Sequence, residues 1–225
     1  MPVKNSNSSS SIHLWGVGTT RSLRPIWVAE ELNLHYQLSA IGARTGETAS
    51  KKFTKLNPKQ KIPFLTDHQI NLSESNVICQ YLIDQYDHDN RFYKPHNIVE
   101  TAKYNECCSY ILNELDETSL YVIRRHHDLK HIYGDAPKAV EAAKQYFCKY
   151  LHVSANEFKG PNLLGDRFSL ADIILTSCLI WAQKYQINIP RNLIPYFKQV
   201  TQRDAFKKAV SINNTDFEGV KRWEP

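Results

Sequence analysis

Lys61-Ile62-Pro63-Phe64-Leu65-Thr66-Asp67, a short turn, Ile70-Asn71-Leu72-Ser73, and then Glu74-Ser75-Asn76-Val77-Ile78 form the stretch from which the rest of the chain can be read. Proline has no N–H to give a sheet, so Pro63 must open its strand or lie on an edge. The second run returns as a hairpin partner. The segment from Ser75 to about Tyr86 reads as a helix, with Val77, Ile78, Tyr81 and Leu82 on its buried stripe. Glu74 and Ser75 bring a carboxylate and a hydroxyl to the start of that helix, where backbone N–H groups collect anions. A carboxylate for an ammonium, beside donors for a carboxylate, suits a small zwitterionic peptide.

Upstream, Ile12-His13-Leu14-Trp15 is expected as a strand broken by Gly16 to Gly18. Ser22 to Leu32 follow as a helix, with Ser22 its N-cap and Pro25 in the first turn, where a missing N–H costs nothing. His35 to Ile41 alternate as a second strand, and Thr45 to Leu56 form an irregular helix. The order strand, helix, strand, helix, strand, strand, helix implies a mixed four-stranded sheet with helices on both faces.

After Tyr86 the pattern changes. Residues 87–96 are polar and read as a linker. From Asn97 onward only helical spacing recurs, first in Val99, Ala102, Cys107, Tyr110, Ile111 and Leu115. Asp135 is the expected cap of a helix through Ala143, Phe147 and Leu151 that Gly160-Pro161 stops. Ser169-Leu170-Ala171-Asp172 is a capping-box variant opening a helix through Ile173, Ile174, Cys178 and Trp181. A last helix spans about Leu193 to Ala209. The expected class is α/β followed by all-α: a mixed-sheet domain over 12–86, the linker, and a helical bundle over 97–225. The polar, Ser-rich leader at 1–11 is expected to be disordered.

Composition sets the bounds. The 225 residues are 42% hydrophobic and 23% charged, an ordinary globular balance. No apolar run approaches the roughly 20 residues of a membrane span, and the leader lacks the apolar core of a secretory signal. Cys79, Cys107, Cys108, Cys148 and Cys178 are odd in number and without Cys-x-x-Cys spacing, as in a reduced, cytoplasmic protein. The net charge of +5 rests on scattered lysines with no recognition motif, so no nucleic-acid partner is expected. His127 and His131 stand four apart, but no cysteine or acidic cluster completes a metal shell around them.

Four segments in order carry a resemblance: Arg24-Pro25-Ile26-Trp27-Val28-Ala29-Glu30-Glu31-Leu32, Asn57-Pro58-Lys59-Gln60-Lys61-Ile62-Pro63, Glu74-Ser75, and Leu164-Gly165-Asp166-Arg167-Phe168-Ser169-Leu170-Ala171-Asp172. Over nearly the whole chain after residue 11 this resembles the cytosolic glutathione transferases. The resemblance implies a thioredoxin-like N-terminal domain joined to a helical domain. It implies glutathione as co-substrate and no permanently bound cofactor. Pro63 would be cis, the Ile62 backbone would pair with the cysteinyl peptide group, Glu74 and Ser75 would hold the γ-glutamyl end, and Gln60 and Lys61 would meet the glycine end.

The family activates the thiol with a side chain at the start of the first helix. No tyrosine precedes Tyr36 and no cysteine precedes Cys79, which leaves Thr19, Thr20 and Ser22. A gap-free count back from Arg24 and Glu30-Glu31 sets Thr19 at the hydroxyl of bacterial and zeta-like members and Thr20 at that of theta-like and delta-like members. Thr19 is preferred, with Ser22 left to the cap. Tyr104, Cys107, Tyr110 and Ile111 fall on the helix that walls the family's electrophile pocket, and equally fit a core or dimer stripe. The implied activity is conjugation of glutathione to a small hydrophobic electrophile by a cytoplasmic homodimer serving detoxification. Glutathione-dependent isomerisation or reduction, and a binding or regulatory role with little turnover, are the alternatives. Retention of Glu74-Ser75 with a hydroxyl favours the enzyme. Gln60, in place of the glycine common before Lys-Ile-Pro, weighs against tight glutathione binding.

Overall fold

The computed structural model describes residues 11–68 and 70–214, so the leader up to residue 10 lies outside it. The described chain divides into two compact units: 11–86 together with 209–214, and 87–208.

The first unit runs β1 (His13–Val17), α1 (Thr20–Glu31), β2 (Gln37–Gly42), a 3-10 turn (Glu47–Ala49), α2 (Lys51–Leu56), β3 (Phe64–Asp67), β4 (Ile70–Ser73) and α3 (Ser75–Tyr86). The sheet order is β2-β1-β3-β4, with β1 parallel to β2 and antiparallel to β3. Side chains alternate across the sheet. Leu14, Val17 and Leu65 are buried, as are Leu23, Ile26 and Trp27 of α1 and Ile78, Leu82 and Ile83 of α3. Trp15, Phe53 and Phe64 form a separate cluster with Ile41, Leu56 and Ile62.

Gly16 does not end β1. It is a bulge between Trp15 and Val17 with φ +108°, and a Cβ there would meet the Ile62 Cβ at 2.5 Å. Only glycine permits both the backbone and the approach. The helix start also differs from the sequence reading. Thr19 is the N-cap, Ser22 is the third residue of α1 and Pro25 the sixth. Pro25 thus lies past the first turn, where its ring removes one helical hydrogen bond.

The second unit holds α4 (Ile98–Tyr110), a π-helical segment (Ile111–Tyr121), α5 (Val122–His126), α6 (Lys130–Tyr133), α7 (Pro137–Glu157), α8 (Leu170–Lys184), a 3-10 turn (Arg191–Leu193) and α9 (Ile194–Thr201); α10 (Asp204–Asn213) begins in it. α8 is buried from Leu170 through Ala182 and forms the centre. Ala143, Phe147, Leu151 and Ala155 of α7 make one buried stripe at four-residue spacing. The α8 capping box is present as expected: Ser169 donates to Asp172 Oδ2 from its N–H at 2.8 Å and its hydroxyl at 2.6 Å. Leu163 N–H at 2.9 Å and Tyr196 OH at 3.0 Å donate to the other oxygen.

Three expectations shift here. α7 is capped by Ala136 with Pro137 at its first position, not by Asp135. Residues 87–96 are anchored within the second unit: buried Asp87 accepts from Arg91 N–H at 2.7 Å and Phe92 N–H at 3.0 Å, and Phe92 is core. The last helical stretch breaks after Thr201 into α9 and α10, and 209–214 join the first unit.

Candidate glutathione site

The register gathers the candidate residues at one end of the sheet. Trp15 pairs with Phe64, and Phe64 with Ser73. The loop leaving β1, the entry to β3 and the exit of β4 are therefore neighbours. Ile62–Pro63 is a cis bond, and Pro63 is buried. Buried Asn57 holds the preceding turn. Its Nδ2 donates to the Lys61 carbonyl at 2.8 Å and its Oδ1 accepts from Lys59 N–H at 3.1 Å. Gln60 has φ +53°, and its Nε2 donates to Thr54 Oγ1 at 3.3 Å. Lys61 is exposed.

Across the hairpin, Glu74 has φ +74°, a conformation a non-glycine residue adopts only where its surroundings impose it. Its exposed carboxylate lies 3.4 Å from Lys59 Nζ, which also donates to Ser73 Oγ at 2.8 Å. Ser75 opens α3, and its buried Oγ accepts from Arg24 Nη1 at 3.2 Å, leaving the hydroxyl proton to be donated. Arg24 is 1% exposed. Sequence reasoning used it as a family marker and missed its place behind Ser75. The signal was available: a guanidinium amid Leu23, Ile26 and Trp27 must have polar partners inside the fold.

At the start of α1 the two threonines are not equivalent. Thr19 Oγ1 accepts from Ser22 N–H at 2.9 Å, while Thr19 N–H donates to Ser22 Oγ at 3.0 Å, a reciprocal capping box. The two hydroxyls are 2.9 Å apart. Ser22 Oγ also donates to Asn213 Oδ1 at 2.8 Å. Thr20, the first residue of α1 and 3% exposed, engages its hydroxyl in no hydrogen bond among the described residues.

In the second unit Cys107, Tyr110 and Ile111 line a cavity of about 400 Å³ with Leu163, Leu164 and Leu175. Tyr104 is not in this wall; it is buried with its ring 6.2 Å from that of Tyr93. Burial, and then the Asp172 carboxylate, push the Cys107 thiol up to about 12, so it stays protonated. His127 lies 3.0 Å from Asp128, and the described residues contain no group of three or more His, Cys, Asp or Glu that could hold a metal. No described helix is long and apolar enough to cross a membrane.

The sequence family described as Glutathione S-transferase, N-terminal domain, matches residues 10–84, and its C-terminal domain counterpart matches 112–208. Glutathione S-transferase 2 of Anopheles gambiae is 32% identical over 162 residues, covering 69% of this chain and 72% of that protein. The chain belongs to the glutathione S-transferase family. A second relative of this transferase is the Stringent starvation protein A homolog of Coxiella burnetii, 23% identical over 177 residues, 76% of this chain and 78% of that one. Among solved structures, a glutathione transferase homolog from Lodderomyces elongisporus with two GSH per subunit superposes at a TM-score of 0.81 and 21% identity, covering 90% of this chain and 99% of that chain.

Proposed function

We propose that this glutathione transferase binds glutathione on its first unit and that Thr20, rather than Thr19, activates the thiol. The observation that carries the choice is the capping box. The Thr19 hydroxyl is committed to Ser22, whereas the Thr20 hydroxyl is uncommitted at the first residue of the same helix. A free thiol titrates near roughly 8.5, and helix N-termini and donated hydrogen bonds lower it. One neutral donor is worth about 1 kcal/mol, or somewhat under one pKa unit, so the N–H groups at the start of α1 supply the rest.

Glu74 takes the ligand's ammonium in exchange for Lys59. The Ser75 hydroxyl and the first N–H groups of α3 take the glutamyl carboxylate, with the Arg24 charge behind them. The Ile62 backbone pairs with the cysteinyl peptide group, and Gln60 and Lys61 meet the glycine carboxylate. The thiolate attacks the electrophile, the C–S bond forms, and the displaced electron pair leaves with the leaving group or takes a proton from water.

The cavity lined by Cys107, Tyr110 and Ile111 has the size for a small electrophile, with Leu163, Leu164 and Leu175 to meet its hydrophobic part beside the charged Lys103, Glu106 and Glu157. Ile98 and Val99 of α4, 81% and 69% exposed, are surface that a second copy in a homodimer would cover. The five cysteines form no disulfide among the described residues, in keeping with a cytoplasmic detoxification enzyme. Capture on immobilised glutathione, elution with free glutathione, and turnover against a panel of aryl halides and enones test the reading. Capture and turnover are expected. Capture without turnover across the panel would make the chain a binding protein.

A further inference from the structure

We infer that Asn213, near the far end of the described chain, is a positioning residue for the thiol-activating turn. Four hydrogen bonds converge on it. Gly18 N–H is shared between the Asn213 backbone carbonyl at 2.9 Å and Oδ1 at 3.1 Å. Ser22 Oγ donates to Oδ1 at 2.8 Å, and Asn213 Nδ2 donates to the Thr19 carbonyl at 3.1 Å. Asn213 is fully buried. One amide therefore grips Gly18, Thr19 and Ser22, the residues on either side of Thr20.

The amide also sets the direction of the protons. Its Oδ1 faces Gly18 N–H and the Ser22 hydroxyl, and an amide oxygen can only accept. Ser22 has one hydroxyl proton, and both acceptors within its reach beyond Thr19 Oγ1, Asn213 Oδ1 and the Thr19 carbonyl, lie on this clamp. With that proton directed there, Ser22 Oγ is left to accept, from Thr19 N–H and from the Thr19 hydroxyl. The chain of donors then runs one way, from Thr19 to Ser22 to Asn213. Thr19 has no proton left for a ligand, and Thr20 is the hydroxyl that remains. Asn213 selects the donor without touching the sulfur.

This rests on the Thr20 reading, and the experiment separates the two. The acid limb of the pH profile of kcat/KM, and the thiolate absorbance of bound glutathione against pH, are measured for the wild type, Asn213→Ala, Asn213→Leu, Thr20→Val and the double variant Thr20→Val/Asn213→Ala. Asn213→Leu keeps the size while removing both the Oδ1 acceptor and the donor to Thr19, and serves if alanine impairs folding.

Both Asn213 variants are expected to move the acid limb up by about half to one pH unit, the worth of one such hydrogen bond. kcat should fall several-fold at neutral pH, with KM for glutathione changing less than twofold because Glu74 and Ser75 are untouched. The double variant should titrate like Thr20→Val alone. A merely structural role would lower the melting temperature and leave the limb in place. That result in Asn213→Leu overturns the inference. If Thr20→Val leaves the limb unmoved while the Asn213 variants shift it, the Thr20 reading fails and the clamp stands as acting through the turn as a whole.

Discussion

Thr20 and Thr19 differ by one position in the chain and by the whole of their hydrogen bonding. If Thr20 supplies the activating donor, Thr20→Val should raise the pKa of bound glutathione toward the free-thiol value of roughly 8.5. Turnover at pH 7 should fall by up to about fivefold and recover in alkali. Valine keeps the β-branch, so the fold should hold. Stopped-flow titration of thiolate absorbance checks this. Thr19→Val should instead act mainly on stability, by about 1 kcal/mol for a lost cap. Glu74→Ala and Ser75→Ala should each weaken glutathione binding by roughly 1.5–3 kcal/mol, since each removes the partner of a charged group. Isothermal calorimetry measures that loss, and unchanged affinity in both variants would place the ligand elsewhere. The two threonines were not told apart in the sequence because Ser22 reads there as the N-cap, which hides the Thr19–Ser22 capping box, and because Asn213, which joins that box, lies 194 residues from Thr19. The hairpin and helix start that flank Glu74 and Ser75 were legible because their signals lie side by side in the sequence.

At the scale of elements, α8 shows how much one cap can hold. Asp172 accepts from Ser169, Leu163 and Tyr196, which ties the loop after α7 and the start of α9 to the central helix. Burial raises its pKa even against these donors. Asp172→Ala strands several buried donors and should cost about 3 kcal/mol or more, read as a lowered urea midpoint. The hairpin carries a pH-sensitive counterpart. Asp67 is desolvated, which raises its pKa, but donors led by Ser11, Tyr86 and Tyr81 outweigh this and the net shift is downward. A carboxyl held lower in the fold than its unfolded 3.8 stabilises above that pH, and the contribution is lost as pH falls through the folded value. Unfolding midpoints between pH 7 and pH 2.5 should therefore drop less steeply in Asp67→Asn than in the wild type. The starts of α3 and α8 were legible because their signals are local. Pro25 misled because proline prefers a first turn and here the helix opens earlier. The π-helical run from Ile111 was not legible, since its apolar spacing suits an α-helix equally well. The bulge at Gly16 required knowing that Ile62 lies over it.

For the molecule as a whole, a homodimer should scatter light as about twice 26.0 kDa at micromolar concentration, and Ile98→Glu combined with Val99→Glu should return it to one subunit. A 26.0 kDa wild type would remove the α4 face as an interface. The two-part architecture was legible from the switch between alternating and helical periodicity at Tyr86. The attachment of 209–214 to the first unit was not, because the contacts that decide it span most of the chain. That attachment has a consequence in time. A ribosome adds roughly 5–20 residues per second, and N-terminal domains fold while the remainder is still being made. The turn that bears Thr19 is extruded 194 residues before Asn213, a lag of roughly 10–40 s at that rate. Once β4 has been made, the nascent chain can carry its sheet and first helix but not the amide that directs the protons of the turn, so the share of thiol activation that the clamp supplies waits for Asn213.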